Sequence, residues 1–478
     1  MTSQDIDAVI DSHRNGIMVV TDRYPPNSHG GAELSLHITL SRSEYREKCL
    51  VVTFNDTIDA PSTYELDGVS VIEFPAPTLW PYHAQSMKRF ADNQSARRPM
   101  RAARKALWLL GYLFQGEVWR IPLRLRMIHL NYMVGVQGGV PADFDQVDHS
   151  LRRRYLADVV KRMQPATIHA DNYRSILAVA SLRQKANARM IGLVRDNRFA
   201  CMNHNQSMMI NGKLCGVCNF ECYEHRKKHS GFIKSLFERT RRHRQHALHQ
   251  MDTVVVTSKF LHDQIAGIFN SARIVYLPNP ADDMDSIIAS YRGVAELPGF
   301  NILVVGMLNE NKGQADLVKK IDELVARVPD AKIYFAGRGE RIEARINEIA
   351  AEKGLADRVE VLGYLSRQDL YRWMRRCQVV ALPTMWPEPF GRVPLEAGMA
   401  CRPVVAFKVG GLIETIRHEK TGLLVPHKQM SDFIEALGTL ADDPGKMRRM
   451  GYAAFDHIGQ NFQASARAKE LIKVWKSR

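Results

Sequence analysis

Two successive series of strand and helix signals predict an α/β protein built from two doubly wound sheets. Three observations carry this. The first half holds short apolar runs of buried-strand character: GIMVVT at 16–21, KCLVVT at 48–53, VSVIEF at 69–74, ATIHA at 166–170, MIGLV at 190–194 and DTVVVT at 252–257. A second series follows: NILVVG at 301–306, KIYFA at 332–336, VEVLG at 359–363, VVAL at 379–382 and VVAF at 404–407. Between the two lies YLPNPADD at 276–283, whose prolines and aspartates read as a linker. Helical patterns separate the strands, including 34–41, 151–163 and about 175–186. Ligands of such paired sheets bind in the cleft at the carboxyl ends of the strands.

A chain of 478 residues is too long for one core. The expected division is an N-terminal domain over 1–280, a second domain over 281–455, and a last helix within 456–478 that crosses back onto the first domain. With 45% hydrophobic and 24% charged residues the composition is that of a soluble globular protein. No apolar run reaches the roughly 18 residues of a membrane span, and the opening MTSQDID is too acidic and polar for a secretory signal. A cytoplasmic location is expected, with most of the seven cysteines reduced.

The net charge of +15 asks for an anionic partner. Residues 88–126 carry ten Lys and Arg against two acids, and residues 224–249 carry eight Lys and Arg and five His against two acids. In 97–110 the cations are mixed with leucines and Trp108, and Trp119 follows. Such a segment suits the headgroup region of an anionic bilayer, and equally a solvated helix with one buried face. No nucleic-acid-binding module is visible, so nucleic acid is not an expected partner.

The stretch EPFGRVPLE at 388–396 sets Glu388 and Glu396 eight positions apart, with Phe390 and Gly391 between them. It follows a buried-strand run and opens a helix with Pro394 in its first turn. Free N–H groups at such a helix start favour phosphate, and Gly391 permits close approach of a ligand. Glu396 is placed to accept from ribose hydroxyls, and Glu388 to face what lies beyond the phosphates. That layout describes a sugar nucleotide.

The run resembles the acidic motif of retaining GT-B glycosyltransferases, family 4 above all, and RPVVA at 402–406, GGLIE at 410–414 and TGLLVP at 421–426 continue the resemblance in register. It implies a GT-B fold and transfer of a hexose-type sugar from a nucleoside diphosphate sugar to an acceptor hydroxyl, with retention at the anomeric carbon. The acceptor implied is a glycan or a lipid-linked glycan, met at the cytoplasmic membrane face. Gly30 and Gly31 match the family's N-terminal glycine loop. Gly306 and Lys312 match the start of the second domain, where Lys312 would neutralise the departing diphosphate. The family's arginine beside that lysine is replaced by Met307, and Arg195 stands where a histidine is usual beside the reacting sugar. Arg338, in Gly337-Arg-Gly339, is a further cation of that region. His169 ends another strand facing the cleft. These departures keep a non-catalytic partner subunit open as an alternative, alongside a GT-B epimerase or phosphorylase.

Cys201, Cys215, Cys218 and Cys222 lie within 22 residues at spacings that suit a structural zinc, or else four reduced thiols. Four protein ligands would leave no open position, so such a zinc would not be catalytic. Asp143 and Asp145 read as turn and cap residues, so no metal is expected at the reaction centre.

Overall fold

The computed structural model of the chain describes residues 3–27, 30–55, 57–75, 144–202, 209–210, 213–215, 218 and 230–477. The basic stretch at 88–126, Trp108, Trp119, Asp143 and Cys222 lie outside them.

The first sheet takes β1 (Ile17–Thr21), β2 (Cys49–Asn55), β3 (Ser62–Leu66), β4 (Val69–Pro75), β5 (Thr167–Asp171) and β6 (Arg189–Val194). A two-stranded ribbon of β7 (Met209–Ile210) and β8 (Lys213–Leu214) stands apart, and β9 (Thr253–Val256) and β10 (Ile274–Tyr276) complete the sheet. Its order is β10-β9-β6-β5-β1-β2-β4-β3. All pairs are parallel except β3 with β4. Strands β1, β5 and β9 are buried at every position because helices cover both faces. That is why their sequences are unbroken apolar runs.

The second sheet comprises β11 (Asn301–Val305), β12 (Lys332–Ala336), β13 (Val359–Gly363), β14 (Val379–Leu382), β15 (Val404–Phe407) and β16 (Gly422–Val425), ordered β13-β12-β11-β14-β15-β16 and parallel throughout. The chain leaves β11 toward β12 and β13, then returns to lay β14 on the other side of β11. This reversal splays the loops after β11 and β14 apart and opens a crevice between them.

One apolar core fills the second domain, and two flank the first sheet. The last helix, Ala464–Lys476, inserts Leu471, Ile472, Val474 and Trp475 into one of the latter, against Val19, Leu36 and Val51. Two elements differ from expectation. The helix placed at about 175–186 is Tyr173–Ala180, drawn earlier because the Asn172 side chain accepts from Ser175 N–H and caps it. Edge strand β3 has no apolar run to announce it: its sequence is STYEL, and none of its residues is fully buried.

Candidate active site

The crevice of the second sheet holds a cavity of about 430 Å³. Gly306, Met307, Asn309 and Lys312 line it from the loop after β11, and Thr384, Trp386, Glu388, Gly391 and Arg392 from the loop after β14. Lys312 ends a short turn, Glu310–Lys312, whose start is capped by Asn309. Its Nζ donates to Glu388 Oε1 and lies 5.5 Å from the centroid of the Trp386 ring. Trp386 Nε1 donates to the same carboxylate oxygen at 3.2 Å. The structure therefore joins the two residues that the sequence assigns to opposite ends of the donor. The indole that orients both lies two positions before Glu388. Only an aromatic beside the motif hinted at it.

Backbone geometry holds the pair in place. Gly313, next to Lys312, has φ +69°, and a Cβ there would sit 1.9 Å from the carbonyl oxygen of Pro383. Gly313→Ala therefore forces the lysine loop away from the acidic loop. The expected cost is roughly 3 kcal/mol, read as a lowered urea midpoint at unchanged m-value. An unfolding free energy within about 0.5 kcal/mol of wild type would contradict this reading of the turn. Gly411 N–H donates to the Glu388 carbonyl at 2.7 Å, tying the acidic loop to the next one.

The first domain reaches this loop directly. Asn197 Nδ2 donates to the Pro387 carbonyl at 3.0 Å and Ser258 Oγ to that of Pro389 at 2.5 Å. The N–H groups of Lys259 and Phe260 donate to Glu414 at 2.8 and 2.9 Å. None of these contacts between domains was signalled by spacing. Gly30 and Gly31 open the helix Gly31–Ser41 on the other side of the cleft. The bare Cα of Gly31 leaves room for Arg392, whose Cδ would lie 2.8 Å from a Cβ at that position.

Several expected site residues stand elsewhere. Phe390 is buried in the core with its ring edge-to-face with Phe462 at 6.1 Å, so it packs the loop and does not line the cavity. Glu396 is buried on the first turn of Val393–Met399, behind the cavity-lining Arg392, at 3.5 Å from Arg367 Nη1 and from Arg392 Nε. His169 is 0% exposed. Its Nδ1 accepts from Trp475 Nε1 at 3.3 Å, and burial pushes its pKa down to about 4. A neutral ring enclosed under the last helix packs the fold and cannot touch substrate. Arg195 forks onto Asp171 at 2.5 and 2.7 Å and donates to Asn279 of the linker. All its long reach is spent on fixing the ends of β5 and β6 to the linker. Glu33, near this pair, has its carboxyl pKa raised by burial. Arg338 stacks on Tyr364 at 4.8 Å.

Among the described residues no group of three or more His, Cys, Asp or Glu side chains could hold a metal ion. Cys201, Cys215 and Cys218 are included in that statement, so the zinc expectation finds no support there. Burial pushes the Cys218 thiol up to about 11, which keeps it protonated.

Two doubly wound α/β sheets, parallel except for the edge pair β3–β4, and the structural likenesses given below make this a GT-B fold. Residues 296–457 match the family model of glycosyl transferases group 1. A D-inositol 3-phosphate glycosyltransferase of Pseudarthrobacter chlorophenolicus is 37% identical over 161 residues, covering 33% of this chain and 38% of that protein. A glycogen synthase of Mycobacterium tuberculosis is 26% identical over 258 residues, covering 52% of this chain and 60% of that protein. The chain thus spans between 38% and 60% of the length of these two relatives. Anabaena HepE in complex with UDP-glucose superposes with a TM-score of 0.63 at 18% identity, over 97% of this chain and 99% of that one. For sucrose-phosphate synthase from Thermosynechococcus elongatus the TM-score is 0.66 at 17% identity, over 97% and 98%.

Proposed function

We propose that this protein transfers a sugar from a nucleoside diphosphate sugar to an acceptor hydroxyl with retention of configuration. The observation that carries the reading is the Lys312–Glu388 pair, set in the crevice between β11 and β14. The bond from the anomeric carbon to the diphosphate breaks with its electron pair going to the phosphate oxygen, while the acceptor hydroxyl oxygen bonds that carbon from the same face and gives its proton to the departing phosphate. Lys312 stabilises that charge as it develops. Glu388 favours positive charge at the anomeric carbon and orients the sugar. The cleft aligns donor and acceptor and excludes water, which would otherwise consume the donor.

The relatives named above support the glycosyl transfer, and the UDP-glucose complex of HepE makes a uridine nucleotide the first donor to try. The proposed acceptor is a glycan or lipid-linked glycan at a membrane face. Its support is the cation-rich 97–110 of the first domain together with the net charge of +15. Among the described residues no helix is long and apolar enough to cross a membrane, so the proposed association is peripheral.

The test is calorimetry of the purified full chain against UDP-, GDP- and ADP-sugars, with proton NMR of the product to read its anomeric configuration. Binding of one base class, weakened at least tenfold by Lys312→Ala, is the expected result. Folded protein that binds none of them would overturn the proposal, and an inverted product would overturn retention.

A further inference from the structure

Arg392 lies inside the acidic motif, yet its partners belong to three separate parts of the molecule. Nη1 donates to Ser35 Oγ at 2.7 Å, on the glycine-loop helix of the first domain, and to the Pro280 carbonyl at 3.0 Å, in the linker. Nη2 donates to Asp282 at 2.8 Å, also in the linker. Nε lies 3.5 Å from Glu396 of its own helix. Asp282 in turn accepts from Tyr371 Oη at 2.6 Å and pairs with Arg367. A set of two guanidinium and two carboxylate groups therefore joins the linker to the helix that carries Glu396. Arg392 alone of the four extends the set to the first domain.

The guanidinium is also part of the cavity. Arg392 and Lys312 are the two cations of its lining. The arginine that the resemblance leads one to expect is Met307, 71% exposed at the mouth. The Arg392 side chain is 9% exposed, and its Nε has no hydrogen-bond partner. That Nε faces the Glu396 carboxylate at 3.5 Å, so the guanidinium is held by carboxylates on one side while it lines the cavity on the other.

We infer that Arg392 is a positioning residue: it clasps the glycine-loop helix and the linker to the donor loop, and so sets the closed arrangement of the two domains around the donor. The inference rests on the proposed glycosyl transfer for its kinetic part, but not for its conformational part. With the clasp in place the glycine-loop helix packs at Gly31 against Arg392, which lines the cavity. Without it the first domain keeps its contacts at Asn197 and Ser258 and loses those at Ser35 and the linker. The cleft then opens on the side of the glycine loop. Water enters, and a bound donor is hydrolysed without transfer.

The experiment compares Arg392→Met, Arg392→Lys and wild type by hydrogen–deuterium exchange and small-angle scattering, then by kinetics. Arg392→Met is expected to raise exchange in the helix Gly31–Ser41 and in 277–283, and to enlarge the radius of gyration. With a donor identified, it lowers kcat/KM on the order of 10²-fold and raises the ratio of donor hydrolysis to transfer. Arg392→Lys restores part of each effect, because an ammonium reaches one or two of the partners but cannot fork. If Arg392→Met does not fold, Ser35→Ala and Arg392→Lys take its place, with the same direction and smaller amplitude. Wild-type exchange in both segments for every folded variant overturns the clasp, whatever the activity. Opening of the variants in a protein that turns over no sugar nucleotide leaves the clasp standing and removes the proposed activity instead.

Discussion

Lys312→Ala lowers kcat by about 10²- to 10³-fold, the range seen when one preorganised charge facing a departing oxyanion is removed. The physical reason is position. Lys312 lies in the crevice opened by the strand reversal at β11, and its Nζ points at Glu388 across the cavity. Glu388→Gln lowers kcat by a similar factor, because the neutral amide gives up the favourable charge beside the anomeric carbon. Stability moves differently. Each single change strips one partner from a largely buried ion pair and costs about 1–3 kcal/mol. The double variant Lys312→Met/Glu388→Gln leaves no orphaned charge and recovers much of that loss. Kinetics and denaturation therefore diverge: the double variant is the most stable of the three and as inactive as either single one. A kcat within threefold of wild type for Lys312→Ala would remove the lysine from the reaction. A double variant less stable than both singles would contradict the ion-pair account.

The residues of this pair were legible in the sequence because each sits at a fixed distance from a strand end. A strand's carboxyl end marks the cleft, and the loop is too short to carry the residue elsewhere. Phe390 and Glu396 share the same motif, but their side chains do not line the cavity. A loop and a helical turn aim successive side chains in different directions, and the linear spacing does not say which way. Phe390 turns into the core toward Phe462, and Glu396 turns toward Arg367 and Arg392. Arg392 carries no signal in the sequence because its partners Ser35, Pro280 and Asp282 lie in other elements, 357, 112 and 110 positions away. The inner strands were readable as apolar runs, since burial on both faces leaves a continuous pattern. Edge strand β3 is paired on one side only, and its sequence STYEL needs no such run.

His169 shows the same limit, and its true surroundings give the second large effect. The ring lies in the register of the first sheet between Val19 and Ile191. It is closed off by Trp475 from the last helix, edge-to-face at 6.1 Å. Trp475→Ala removes a buried indole that ties the C-terminal helix to the first sheet, and is expected to cost about 3–5 kcal/mol. Loss of the helix also uncovers Leu36 and Val19, so amide exchange rises in 17–41.

The histidine adds a pH dependence of definite sign. Burial holds its folded pKa down to about 4, while the unfolded chain protonates it near 6.5. Between those values the unfolded state binds the extra proton and the folded state does not. Stability therefore falls as pH drops from about 6.5 to about 4, and the loss is complete below the folded pKa. Each pH unit in that window is worth about 1.4 kcal/mol, a total on the order of 3 kcal/mol. His169→Phe keeps an aromatic partner for Trp475 but has nothing to protonate. Its urea midpoint should lose that part of the acid slope while the wild type retains it. Parallel slopes for the two proteins between pH 6.5 and pH 4 would mean that the ring is solvated and titrates normally. Trp475 would then not be its cover, and the C-terminal helix would be held by its aliphatic residues alone.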